Sequence, residues 1–269
     1  MTNSQAGSGN LAISDTTKIA VLDIGSNSFH FVVGEMSKQS VKILYKLKQK
    51  VRLADGLSDD MVLSNAAIER GVEALEKINQ RIKTYKPDFV KVVGTYTLRN
   101  ATNIADFERA AKSVFSYPIQ ILSGEEEAKL IFNGVARSHT LDKSTLIIDI
   151  GGGSTEFVIG QNKQSDLAAS LDMGCVSYSQ RYFPQNIMTN DAFDKAINAA
   201  KNNLKTIEGS FVNKGWEVCL GTSGSVESLV SVIAQDTGQP LSKQAITLEE
   251  LYKLKRLCIN AGNSEALSI

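Results

Sequence analysis

The sequence predicts an α/β protein built from two duplicated lobes around a cleft, with the second lobe incomplete. Three observations carry this. First, the chain repeats itself at a fixed offset of 126: Val21–Gly34 (VLDIGSNSFHFVVG) and Ile147–Gly160 (IIDIGGGSTEFVIG) share Asp23/Asp149, Ile24/Ile150, Gly25/Gly151, Ser28/Ser154, Phe31/Phe157, Val32/Val158 and Gly34/Gly160. Second, apolar alternation gives way to helical spacing in the same order in both halves. Third, 269 residues with 42% hydrophobic and 22% charged side chains suit roughly two domains, each with its own core, and lie far from a disordered composition.

Each half reads as a hairpin, a third strand, a long helix, a strand and further helices. The third strands are expected over Val41–Leu53 and Leu167–Tyr178, and the helices over Asn65–Lys86 and Ala192–Val212. An apolar strand then enters a Gly-Thr turn, at Gly94-Thr95 in VVGTYTLRN and at Gly221-Thr222 in VCLGTSGSVE. The first copy continues through a helix (Asp106–Phe115), a strand (Pro118–Leu122) and a helix from Gly124. The second continues through a helical stretch (Ser223–Ala234), a loop at Gly238-Gln239-Pro240 and a helix (Glu249–Asn260) with Thr247 as N-cap. A counterpart of the Pro118–Leu122 strand is missing, so the chain reads as ending inside its second lobe. The expected division is a disordered tail over residues 1–17, a first lobe over 18–143 and a second over 144–269.

No run approaches the roughly eighteen apolar residues of a membrane span, and the N-terminus lacks a signal-peptide pattern. A cytoplasmic protein with reduced thiols is expected, because Cys175, Cys219 and Cys258 have neither disulfide-framework nor metal-ligand spacing. The lone Trp216 reads as core, and His30 and His139 as packing or surface residues. Neither a nucleic-acid nor a membrane partner is expected. Lys+Arg and Asp+Glu are equal at 29 each, which at first argues against any polyanionic partner. The balance is nevertheless local: Lys46, Lys48, Lys50 and Arg52 alternate along the third strand and would place four cations on one face. That strip reads equally as an edge strand guarded by lysines.

In the repeated motif an apolar strand ends in Asp and enters a turn of small residues. Gly25, Ser26, Asn27 and Ser28 form one turn, and Gly151, Gly152, Gly153 and Ser154 the other. Such turns let successive N–H groups converge on an anion, although one alone is equally an ordinary hairpin turn. Two facing copies, each beside an Asp, suit a phosphate chain gripped from both sides with a metal between. Asp149 is joined by Glu156, where the first copy has His30; this acid pair suits Mg²⁺, the alternative for Glu156 being a cross-strand or solvent-facing charge. In Ser123-Gly124-Glu125-Glu126-Glu127, capping accounts for Glu125 and Glu126 and leaves Glu127 to face the cleft as a general base. Arg99, in the loop after the Gly-Thr turn, is the candidate phosphate clamp or else a surface Arg near a helix start.

These residues carry a family resemblance. DIGSNSFH (Asp23–His30), KVRLADGL (Lys50–Leu57), GTYTLRNA (Gly94–Ala101), SGEEEAKLIF (Ser123–Phe132), IDIGGGSTEFVIG (Ile148–Gly160) and MGCVSYSQRYFP (Met173–Pro184) together resemble the exopolyphosphatase and guanosine pentaphosphate phosphohydrolase (Ppx/GppA) family. GWEVCLGTSGS (Gly215–Ser225) and ITLEELYKLK (Ile246–Lys255) look nearer the guanosine pentaphosphate branch. The resemblance implies the actin, Hsp70 and sugar-kinase fold of two RNase H-like lobes. It also implies Mg²⁺-dependent release of terminal phosphate from guanosine pentaphosphate or polyphosphate, and a homodimer for the full-length protein. Carried over by residue, it places the catalytic glutamate on Glu127, the Mg²⁺-associated carboxylates on Asp149, Glu156 and Asp23, the phosphate loops on Gly25–Ser28 and Gly151–Ser154, and the phosphate-contacting arginine on Arg99. Two rival functions fit the same residues: an ATP-dependent small-molecule kinase, and a non-catalytic sensor of guanosine tetra- or pentaphosphate.

Overall fold

The computed structural model describes residues 16–38, 40–238 and 245–266. Most of the tail expected over residues 1–17 lies outside these, as do Gln239 and Pro240 of the expected loop. The first sheet has the order β3-β2-β1-β4-β5, from β1 (Thr17–Ile24), β2 (Ser28–Met36), β3 (Val41–Lys50), β4 (Phe89–Gly94) and β5 (Gln120–Ile121). The second has the order β8-β7-β6-β9, from β6 (Thr145–Ile150), β7 (Thr155–Gln161), β8 (Gln164–Leu171) and β9 (Val218–Thr222). In both sheets the first strand of the copy pairs antiparallel with the second and parallel with the fourth. This is the duplicated α/β fold expected from the repeat. Among the described residues, β9 has no neighbour where β4 has β5.

Alternation in β1 and β2 sends Ala20, Leu22, Ile24, Phe29, Phe31 and Val33 to one face, where all are fully buried. Helix α1 (Asn65–Tyr85) covers that face with Ala67, Ile68, Ala74, Leu75, Ile78 and Ile82, a stripe at helical spacing. The Ser64 side chain accepts from the Ala67 N–H to start α1, and Lys86 in the left-handed region ends it. Helix α2 (Tyr96–Asn100) follows β4, and α3 (Ile104–Ala111) adds Phe107 and Ala111 to the core.

Helix α4 (Gly124–Ser138) lies within the first copy's sequence, yet it packs on the second sheet. Its buried Ala128 and Phe132 join Leu141, Ile147 and Val158. The Phe132 ring fits against Gly160, where an added Cβ would stand 2.5 Å from the ring, so only glycine admits the contact. Gly160 also marks a register shift between β7 and β8, and Gly34 marks the same shift between β2 and β3. The duplicated unit has kept its irregularity along with its pattern.

Five expectations are corrected. The third strand of the second copy stops at Leu171, and Cys175–Tyr182 forms helix α5; its first N–H groups go to the Gly151 and Gly152 carbonyls, which a strand could not supply. The strand expected over Pro118–Leu122 shortens to two residues, and Arg99 lies on α2 and not in a loop. Arg52 leaves the strand at φ 55° and meets Asp55 at 3.9 Å, so of the four cations expected on one face only Lys46, Lys48 and Lys50 lie on β3. Trp216 is 41% exposed and borders an apolar groove of about 590 Å³ beside Phe157 and Phe211. Helix α6 (Asn190–Lys214), β9, α7 (Ser223–Thr237) and α8 (Leu248–Ala261) follow in the expected order, and Thr247 and Glu250 close a capping box on α8.

Candidate functional site: a carboxylate cleft between paired glycine loops

Strand register builds the site from two equivalent rows. Asp23 stands directly opposite His30, and His30 opposite Lys48. In the second sheet Asp149 stands opposite Glu156, and Glu156 opposite Ser170. Residues opposite each other share a sheet face, so each row presents its side chains together. Asp23, His30, Asp149 and Glu156 line one cavity of about 480 Å³ with Glu127 and with both loops, Gly25–Ser28 and Gly151–Ser154.

The loops meet at their tips. A Cβ on Gly152 would stand 3.1 Å from the Asn27 backbone nitrogen, so glycine permits the approach. Each loop is held from behind through its carbonyls. The Asn27 carbonyl accepts from the Val51 and Arg52 N–H groups, and the Gly152 carbonyl from those of Val176 and Ser177. The Thr97 hydroxyl donates to Ser26 Oγ in the interior at 2.9 Å.

Glu127 enters from the first turn of α4. Its neighbours close the capping box, with Ser123 accepting from the Glu126 N–H and Glu126 accepting from the Ser123 N–H. A residue further on, Glu127 turns away from the cap, and its carboxylate accepts from Arg99 Nη1 at 3.1 Å. The same Nη1 donates to the Leu122 carbonyl at 2.9 Å. Arg99 is therefore not part of the cavity lining; it stands behind the proposed base. With side chains only 20% and 17% exposed, the pair is well shielded from water.

Burial raises the pKa of all four carboxylates, and neighbouring carboxylate charge adds to it at Asp23, Glu127 and Glu156. Burial pushes Asp23 up to about 6, helped by the charges of Asp149 and Glu156. Burial pushes Glu156 up to about 7; the charges of Glu127 and Asp149 add to this, while hydrogen bonds from Ser154 and Ser170 oppose it. Glu127 is raised by burial despite the Arg99 hydrogen bond, and Asp149 by burial despite one from Ser223. Asp23 Oδ1 is buried without a hydrogen-bond partner. Such a set accommodates a hard divalent cation. Among the described residues no group of three His, Cys, Asp or Glu side chains could hold a metal unaided, so Asp23, Asp149 and Glu156 do not make a three-ligand cage. They fit an ion that takes one or two carboxylates and completes its shell with water and substrate oxygens, as Mg²⁺ does.

The structure thus gathers every expected site residue on the cavity wall except Arg99, which lies one hydrogen bond behind it. It adds three that sequence reasoning missed. Ser170 donates to Glu156 Oε1 at 2.8 Å. Thr95 and Ser223 line the cavity at the two Gly-Thr turns, the one signal that pointed to them. Ser223 has φ 83°, a strained value for a side chain with a Cβ, and its hydroxyl donates to the Ile150 carbonyl at 2.8 Å.

Two lobes of this topology, with a glycine loop from each and acids between them, define a class of protein that handles phosphoryl groups. The model of the Ppx/GppA phosphatase family matches residues 32–269. Among solved structures, an exopolyphosphatase-like protein superposes with a TM-score of 0.81 at 22% identity, covering 90% of this chain and 77% of its own. An exopolyphosphatase from Cytophaga hutchinsonii gives 0.80 at 25%, covering 90% and 80%. The Aquifex aeolicus PPX-GPPA enzyme gives 0.72 at 23%, covering 93% and 83%. The chain belongs to the Ppx/GppA phosphatase family, a family of phosphoanhydride hydrolases. No helix among the described residues is long and apolar enough to cross a membrane.

Proposed function

We propose that the protein is an Mg²⁺-dependent hydrolase that releases the terminal phosphate from guanosine pentaphosphate, from inorganic polyphosphate, or from both. The observation that carries this reading is the position of Glu127, whose carboxylate faces the cavity bounded by both glycine loops while Arg99 holds it from behind. A water between Glu127 and the terminal phosphorus gives up its proton to the carboxylate as its oxygen attacks. The phosphoanhydride P–O bond breaks, and its electron pair leaves with the shortened chain. The raised pKa of Glu127 makes it a stronger base than an exposed glutamate. Arg99 fixes the carboxylate's direction from behind, through the hydrogen bond from its Nη1. Asp149 and Glu156, with Asp23 opposite, would hold Mg²⁺, which supplies positive charge beside the phosphoryl oxygens.

A phosphate-release assay on guanosine pentaphosphate, polyphosphate and ATP, with and without sugars, tests this. Release from the first two, independent of sugar and dependent on Mg²⁺, is expected. Transfer from ATP to a sugar would replace the reading with a kinase, and binding of guanosine pentaphosphate without release would replace it with a sensor.

A further inference from the structure

The charge of the two rows differs where the backbone does not. The second row carries Asp149 and Glu156 and ends in Ser170, whereas the first carries Asp23, places His30 where Glu156 would be, and ends in Lys48. Lys48 lies on the same face as Asp23 and His30, both of which line the cavity. It reaches the opposite lobe: its Nζ lies 3.4 Å from where a Cβ on Gly224 would stand, at the start of α7. With Gly224, Glu227, Ser228 and Ser231 it lines a groove of about 470 Å³, and Gly224 also borders the carboxylate cavity. The groove is thus continuous with the cleft mouth. Among the described residues Lys48 makes no ion pair. His30 from β2 and Glu227 from α7 are the titratable groups that face Lys48 here.

We propose that Lys48, seated beside His30 at the mouth of the cleft, grips the phosphate adjoining the one released and neutralises the charge left on it. This rests on the hydrolase reading above. It assigns Asp149 and Glu156 of the second row to the cation and Lys48 of the first row to the leaving phosphate. As the P–O bond breaks, the bridging oxygen gains negative charge, and an ammonium there stabilises it without a proton changing hands. The competing explanation is an exposed lysine that merely guards the edge of β3, as Lys42 on the same strand would do.

The experiment uses tripolyphosphate as probe with three variants, Lys48→Met, Lys48→Arg and Lys42→Met. Steady-state hydrolysis is measured in Mg²⁺, and calorimetric binding is measured in a Glu127→Gln background where the probe survives. Losing one charge-assisted contact is worth about 10- to 100-fold, so Lys48→Met should weaken binding or kcat/KM by that amount. Lys48→Arg should restore most of it, and Lys42→Met should stay within about twofold. Equal losses at Lys48 and Lys42, or no loss at Lys48, would overturn the assignment while leaving the hydrolase reading intact. A parent chain that binds tripolyphosphate through Lys48 but hydrolyses nothing would overturn the hydrolase reading and keep the site. A parent chain that does not bind tripolyphosphate overturns the Lys48 assignment and the polyphosphate half of the hydrolase reading.

Discussion

In the first lobe the sheet is backed by α1 and α3, and one continuous core joins Phe29, Phe31, Leu75, Ile78 and Phe107. In the second lobe the core is split by the sheet. Phe132 of α4 anchors one side, while Leu146, Phe157, Ile159 and Phe211 form a smaller cluster on the other. Beside that smaller cluster lies the groove bordered by Trp216. The same hairpin thus sits on two different foundations, and the functional charges follow a similar divide: Asp–Glu in the second copy, Asp–His in the first. Duplication preserved the strand register and even the bulge at glycine, while packing and charge diverged around them.

The sharpest way to break this comparison is through the cores. Phe31→Ala should cost about 3–5 kcal/mol, the range for a fully buried aromatic. Phe211→Ala, beside an existing apolar groove, should cost about half as much. Chemical denaturation reads both, and equal losses would mean that the two cores support the fold alike.

Next comes Glu127, for which no described residue of the second copy is a counterpart. Glu127→Gln should lower kcat by about 10²-fold or more while binding survives, the scale of a missing general base. An unchanged turnover rate would remove Glu127 from that role.

The Asp pair comes third. Asp149 shares its row with a second carboxylate and Asp23 does not. Asp149→Asn should therefore raise the Mg²⁺ concentration for half-maximal activity by about tenfold, and Asp23→Asn by only about threefold, on the scale that perturbed ligand shells show. A larger effect at Asp23 would invert the division between the rows.

The smallest effect is on pH. Asp23 and Glu156 hold their protons more tightly folded than unfolded, with folded values of about 6 and about 7. The folded state therefore binds more protons than the unfolded state above the ordinary carboxylate range, and stability must fall as pH rises from about 4.5 toward 7. In chelator, the melting temperature should drop by a few degrees over that window, and Mg²⁺ should reverse the drop. Glu156→Gln should flatten its upper part, and a melting temperature that rises from about pH 5 to 7 would contradict the carboxylate cluster.

The parts of this architecture legible in the sequence are those that local periodicity writes. The Asp-to-glycine turns, the long α1 and α6, and the capping box that frees Glu127 each fall within one short window. The pairing of Arg99 with Glu127 does not, because it joins residues 28 apart through a fold contact that leaves no local pattern. Helix α5 was hidden for a related reason. Cys175–Tyr182 has no buried residue to mark a helical stripe, and its start is fixed by carbonyls of a distant loop. Trp216 misled because an aromatic before a strand usually packs inward, whereas here only the groove receives it.

Helix α4 has one further consequence, and it is mechanical. The helix rides on the second sheet through Phe132, whereas Arg99 rides on the first sheet at the end of β4. Rotation that parted the two sheets would carry Glu127 one way and Arg99 the other. The ion pair would then act as a latch between the lobes, so that the base is aligned only while the two halves are shut.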